Sequence, residues 1–318
     1  MQIKSLAFIM TNKCNAACRM CCFSCSPQNN TLLNIGLMKD YIRQAYEIGT
    51  FKTIAFSGGE AMLYYEQLRD CIAYAHSFGF DTTLVSNGFW AANYEEGFET
   101  LKGLVEAGLT HLSLSVDQFH QEYVPLQSVK NAIHACENLG VLSVLTLLDL
   151  KDGLSSKAVM EELRPEIYNK DLIVYPAFPA GEGITNIPEE QLIKVCDKDT
   201  AWCAFDKGIS ILFDGTIMMC CSQFSSEIEM THIGQFGVNT LEDAITVLKE
   251  NDFIYVLLKN AFGWYVKLAE ELGFKLDDNY CVSCHLCHTL FTNTEFVEAA
   301  APFVKAEADR LRIKKLFG

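Results

Sequence analysis

The chain has 318 residues, 50% of them hydrophobic, and 40 acidic residues against 25 basic ones give it a net charge of −15. That is enough apolar material for one large core with a smaller appendage. The acidity and the lack of a Lys/Arg cluster that could make a basic face argue against a nucleic-acid binder. With 7 prolines, 20 glycines and no low-complexity stretch, a long disordered linker is not expected.

Met1-Gln2-Ile3-Lys4 leads straight into a strand-like run, so no secretory signal is expected and the chain is expected in the cytoplasm. Short apolar strands over 6–10, 53–56, 82–85, 111–116, 142–148 and 172–175 alternate with helical stretches near 37–48, 64–76, 94–107, 128–139 and 156–163. Such βα units imply a parallel sheet with helices outside. Six are too few for an eight-fold barrel, so an α/β fold built as an open, partial (β/α)6 TIM-like barrel is expected over residues 1–186. From 187 to 318 the pattern changes. Ile209–Phe213, Asp214-Gly215 and Thr216–Met219 read as a β-hairpin. Helices are expected near 240–250, 253–272 and 295–316, in a second domain. The segment 253–269 is interrupted by Lys259 and Lys267, which favours a buried or amphipathic helix over a membrane span.

Fourteen cysteines are many for such a chain, and clustered cysteines in a reducing compartment read as metal ligands. Cys71, Cys136 and Cys196 stand alone and read as buried thiols. The others crowd into 14–25, 203–221 and 281–287. Cys14, Cys18 and Cys21 form a CxxxCxxC. Three thiolates leave one iron of a cubane cluster open to chelate the amino and carboxylate groups of S-adenosylmethionine (SAM). Zinc is the rival, with Cys22 or Cys25 as a fourth ligand. Position favours the cluster. The cysteine loop follows strand one, Ser57-Gly58-Gly59-Glu60 follows strand two, Ser86-Asn87-Gly88 follows strand three, Ser115-Val116-Asp117 ends strand four, and 176–183 follows strand six. In a parallel barrel these ends share one mouth, where ligands bind. Asp117 also suits a turn or helix cap.

Over 1 to about 185 these motifs resemble radical SAM enzymes. The resemblance implies that Gly58, Gly59 and Glu60 hold the SAM amino group. It also implies that Ser86, Asn87, Ser115 and Asp117 line the ribose and carboxylate, and that Phe23 contacts the cofactor. Met20 stands where the family usually has an aromatic residue. Cys203, Gly215 and Cys220, followed by Cys281-Val282-Ser283-Cys284-His285-Leu286-Cys287, resemble the shorter Twitch form of the cysteine-rich domain of peptide-modifying members. The hairpin brings Cys203 and Cys220 together and a CxxC completes a four-thiolate cage. Zinc with His285 or His288 is the alternative.

The runs Cys21–Pro27, Val85–Trp90, Cys220-Cys221-Ser222 and Cys284–Phe291 are similar to radical SAM peptide epimerases of epipeptide biosynthesis. That similarity implies an auxiliary 4Fe–4S cluster on Cys203, Cys220, Cys284 and Cys287, with Cys281 an extra thiol. It implies Cys221 as hydrogen-atom donor and Asp206 as a substrate anchor. The expected activity is conversion of L- to D-residues in a ribosomally made precursor peptide, using two 4Fe–4S clusters, SAM and an electron donor such as flavodoxin or ferredoxin. Alternatives are peptide cross-linking through thioether or C–C bonds, a small-molecule radical SAM reaction, or a metal-bearing interaction protein without turnover.

Overall fold

The computed structural model describes residues 2–151, 154–165, 171–203, 205 and 208–317. Six βα units open the chain. The strands are β1 (Ser5–Ile9), β2 (Thr53–Ser57), β3 (Asp81–Ser86), β4 (His111–Ser115), β5 (Leu142–Asp149) and β6 (Asp171–Pro176). They pair in parallel and in chain order. Between them run α1 (Ile35–Ile48), α2 (Tyr65–Ser77), α3 (Tyr94–Ala107), the one-turn α4 (Gln118–Gln121), α5 (Leu126–Leu139) and α6 (Leu154–Leu163). Local chemistry sets the helix ends. Asn34 accepts the N–H of Leu37 at the start of α1, and Gly49, at φ 75°, ends it in the left-handed region.

Strand alternation explains why the sheet is hollow on one side. Leu6, Phe8, Ile54, Phe56, Leu84, Leu112, Leu114, Leu145 and Leu147 are buried in the main core, which includes the helices' apolar faces. The intervening residues are smaller or more polar: Ser5, Ala7, Thr53, Ala55, Thr83 and Thr146 line a cavity of about 660 Å³. Small side chains on a curved sheet leave room for a ligand where Leu or Phe would fill the space.

The second region continues the sheet. After α7 (Gly183–Asn186) and the short β7 (Cys196–Asp197), the hairpin forms from β8 (Gly208–Ile211) and β9 (Thr216–Met218), with β10 (His232–Gln235) beside it. β8 pairs in parallel with β1, Ser5 opposite Gly208 and Phe8 opposite Ile211, so the hairpin extends the same sheet to nine strands. Ile209, Ile211 and Ile217 share the main core with β1 and β2. Then come α8 (Leu241–Glu250), α9 (Asp252–Glu271), β11 (Asn279–Tyr280), α10 (Ser283–Phe291) and α11 (Thr294–Phe317). α9 is broken at Ala261, whose φ is 58°. α8 packs into the main core, whereas α9, α10 and α11 form with the cysteine loop a second core around Phe262, Tyr265, Leu286 and Phe296. Among the described residues no helix is long and apolar enough to cross a membrane.

Candidate functional site

Sulfur reaches the cavity by two routes. β1 runs toward the loop that carries Cys14, Cys18 and Cys21, all of which line the cavity. β8 runs alongside it, turns at Asp214-Gly215, and β9 returns antiparallel with Met218 opposite Ser210. Cys220 and Cys221 follow β9, back at the end where β1 and β8 begin. Cys221 is exposed, and with Gln223 it lines the same cavity.

Glycine fixes the cysteine loop against the loop after β2. Gly59 donates its N–H to Thr11 O at 2.7 Å and Glu60 donates to Lys13 O at 2.8 Å. A Cβ on Gly59 would lie 2.3 Å from Lys13 O, and one on Gly58 would lie 2.9 Å from Thr11 O. The paired glycines therefore let two backbones meet, besides lining the cavity. On the other side Gly181, at φ 53°, packs against the carbonyls of Cys21 and Cys22, and Glu182 donates its N–H to Cys21 O at 3.0 Å.

The thiols are electrostatically linked. Burial pushes Cys14 up to about 11, with Glu60 and Cys21 adding to the rise. Burial, Asp117, Cys14 and Cys21 raise Cys18 further. Cys21 is lowered to about 6, chiefly by a hydrogen bond from the Cys25 side chain, with the Cys25 N–H, 3.3 Å from Cys21 Sγ, adding to the fall against burial. Three clustered thiols whose charged forms repel one another are a donor set suited to a group carrying several positive charges. Among the described residues no three His, Cys, Asp or Glu side chains close up around a single ion. A lone zinc needs sulfurs about 4 Å apart at ~2.3 Å Zn–S bonds, whereas a cubane takes its thiolates at separate corners.

The remaining residues expected at the mouth sort into two groups. Phe23, Gly58, Gly59, Ser86, Asn87, Ser115 and Asp117 all line the cavity. The Glu60 carboxylate does not. It is buried and accepts from Met62 N at 3.0 Å, Ser86 Oγ at 3.0 Å and Asn87 N at 2.8 Å. Burial outweighs these donors and pushes it up to about 7. Asn87 also donates from Nδ2 to Asn15 Oδ1 at 2.8 Å, which ties the loop after β3 to the cysteine loop. Asp117 caps α4 by accepting from Phe119 N and His120 N, each at 3.1 Å.

Sequence reasoning missed His120. It lines the cavity, and its Nδ1 lies 2.8 Å from Asp117 Oδ1. Burial lowers its affinity for a proton, but the Asp117 carboxylate outweighs burial and the net shift is upward. The available signal was an acidic N-cap three residues before a histidine on one helical turn.

The second cysteine set also assembles. Cys203 precedes β8, Cys220 follows β9, and Cys284 and Cys287 stand one turn apart on α10. Burial raises Cys287, and Cys203, Cys220 and Cys284 all add to the rise. Cys220 is pushed up to about 12 by burial, with Cys221, Cys284 and Cys203 contributing. The two histidines considered as zinc ligands are engaged elsewhere. His285 stacks on Phe224 at 5.6 Å, lies 3.5 Å from Cys281 N through Nδ1, and is lowered to about 4, mainly by burial. His288 Nε2 meets Glu227 Oε2 at 2.8 Å. Cys281 is buried and raised to about 11 by burial. Asp206 lies outside the described residues.

Comparison with known proteins agrees with this architecture. Residues 8–148 match the radical SAM superfamily. The chain is 25% identical over 312 residues to YydG, a peptide biosynthesis protein of Bacillus subtilis strain 168, covering 95% of this chain and 96% of that one. The structure of anSMEcpe with bound AdoMet superimposes with a TM-score of 0.55 at 14% identity, over 96% of this chain and 99% of that one. BtrN in complex with AdoMet and 2-DOIA gives 0.51 at 15% identity, over 83% and 89%. Residues 8–148 are thus similar to a radical SAM domain, a likeness that implies a 4Fe–4S cluster and SAM, and the chain shares the α/β fold of structures that hold AdoMet.

Proposed function

We propose that this protein is a radical SAM peptide epimerase, converting L-residues to D-residues in a ribosomally made peptide. The observation that carries this reading is the cavity lined by Cys14, Cys18 and Cys21 and also by Cys221. Its similarity to YydG along nearly the whole chain supports a peptide substrate, as does the likeness to anSMEcpe, whose structure is also known with AdoMet and the Cp18Cys peptide.

In this reading Cys14, Cys18 and Cys21 hold the SAM-binding cluster, and Cys203, Cys220, Cys284 and Cys287 hold an auxiliary one. When bound and reduced by a donor such as a flavodoxin or ferredoxin, the cluster held by Cys14, Cys18 and Cys21 would supply the electron that splits SAM, and with it a group able to remove a Cα hydrogen. Inversion then needs a hydrogen atom from the opposite side. Cys221, which lines the same cavity, provides it from its thiol, and an electron and a proton restore the thiol. Gly58, Gly59, Ser86, Asn87 and Ser115 line the end where SAM would sit. Phe23 and Phe178 add apolar walls that exclude water from the reacting carbon.

The test is turnover in D2O with a synthetic candidate precursor peptide. A thiol proton exchanges with solvent and a peptide Cα hydrogen does not on this timescale. Each inverted residue should gain one deuterium at Cα, raising the mass by about one unit per event. A product two mass units lighter, with no deuterium at Cα, would replace epimerisation with cross-linking.

A further inference from the structure

The nine-stranded sheet ends on two edges of different character, β10 and β6. β10 is guarded. Its register shifts between His232 and Gly234, α8 packs against it, and Gln235 gives its N–H to Asn239 Oδ1 at 2.9 Å. A bulge, a covering helix and spent backbone groups all block a sheet edge. Among the described residues β6 has none of these. Its central run, Leu172-Ile173-Val174-Tyr175, is apolar, and Ile173, Val174 and Tyr175 are 39%, 42% and 42% exposed.

The pairing with β5 leaves a defined set of backbone groups over. The register runs unbroken from Val144 opposite Asp171 to Asp149 opposite Pro176, and Ala177 donates its N–H to Asp149 O at 2.7 Å. In a parallel ladder, alternate residues turn both backbone groups toward the same neighbour. Ile173 and Tyr175 therefore face β5, as Ala177 does, while Leu172 and Val174 aim N–H and C=O outward. None of the described residues hydrogen-bonds the backbone of Leu172 or Val174 on that side. The two outward pairs lie about 7 Å apart, two residues of strand. Another extended chain offers its own groups at the same repeat.

The same strand borders the cavity. Tyr175 lines it, as do Leu148, opposite Tyr175, and Thr146, opposite Ile173. By alternation Ile173 shares the Tyr175 face. A chain paired with β6 would continue the wall of the cavity that Cys14, Cys18, Cys21 and Cys221 also line. A second copy of this chain suits the edge less well, because each copy carries a net charge of −15 and the two repel.

We propose that β6 is a docking strand for the peptide substrate. A segment flanking the reacting residue adds to the sheet as an extra strand, its backbone bonded to Leu172 and Val174. Backbone pairing supplies affinity, and every second side chain of the segment faces the cavity beside Ile173 and Tyr175, where sequence preference is read. This mode of holding rests on a peptide being the substrate.

The test titrates the synthetic candidate precursor peptide of the D2O experiment into the anaerobically reconstituted holoenzyme with SAM, with iron content verified for each protein. Peptides N-methylated at one backbone amide each should lose affinity at alternate positions within one stretch, about three- to tenfold per lost hydrogen bond. Positions between them should bind normally. Peptide binding should slow hydrogen exchange at the Leu172 and Val174 amides. Val174→Pro removes an outward N–H and leaves the ladder to β5 intact, so it should weaken the peptide by a similar factor. An N-methyl series without alternation would overturn the proposal, as would unchanged exchange at both amides in the bound state. So would a wild-type dimer that Val174→Pro abolishes while peptide affinity stays the same, since a second copy would then occupy the edge. Alternation in binding without D-residue formation would sink only the epimerase reading. D-residues formed without alternation would sink only the docking strand, and a holoenzyme that binds no peptide would overturn both.

Discussion

Glu60 Oε2 accepts the backbone N–H of Asn87 at 2.8 Å, so a carboxylate with almost no solvent contact joins the loop after β2 to the loop after β3. Its partner oxygen takes Ser86 Oγ and Met62 N. Glu60→Ala leaves three donors without an acceptor and should destabilise the fold by about 1–3 kcal/mol. SAM affinity should fall with it, through loosening of Ser86 and Asn87. Thermal melts and SAM titrations should move together. A variant with normal stability and lost SAM binding would show that Glu60 touches the cofactor directly.

The same carboxyl gives a pH signature. Its value in the fold, about 7, lies above its ordinary 4.5, so the folded state holds the proton more tightly than the unfolded one. Its contribution to stability is full below about 4.5, declines as pH rises, and is lost above about 7. Glu60→Gln should remove that slope from the melting temperature of the metal-free protein between those limits. An unchanged slope would assign it to other groups.

Gly59→Ala tests the meeting of two backbones. Its Cβ would sit 2.3 Å from Lys13 O, one residue from Cys14. The backbone must move, at a cost of about 1–3 kcal/mol. Reconstitution should then yield less iron at the N-terminal site while the C-terminal set fills normally. Full iron at both sites would show that the loop adapts freely.

Metal content divides the two cysteine sets. Wild type should hold about eight irons per chain if both sets carry cubane clusters. Replacing Cys14, Cys18 and Cys21 together by Ala should leave about half and abolish SAM cleavage. Zinc at the C-terminal set would refute the auxiliary cluster.

Cys221→Ala should separate the two halves of the reaction. 5′-Deoxyadenosine should still form with peptide present, while D-residues fall to background. Cys221 adjoins Cys220, so iron content must be matched first. D-residues at the wild-type rate in an iron-replete variant would move the donor elsewhere, with Cys281 and Cys25 next to test. Cys25 lines the cavity; Cys281 is buried away from solvent.

The six βα units were legible because apolar strands and helices of different period alternate with little interruption, and each polar motif follows a strand. The approach of Cys203 and Cys220 was legible from the Asp214-Gly215 turn, which is local. The pairing of β8 with β1 was not, since parallel partners about 200 residues apart leave no spacing to read. Nor was the direction of Glu60, because a Gly-Gly-Glu looks the same whether its carboxylate meets a ligand or a neighbouring loop. The Asp117–His120 pair was hidden for a related reason. A cap residue is recognisable in sequence, but what else its carboxylate touches depends on the turn that follows.

The parallel pairing of β8 with β1 also puts both cysteine sets on one frame: the strand that leads to Cys14 is hydrogen-bonded to the hairpin that separates Cys203 from Cys220, so neither set can shift without working against a shared ladder.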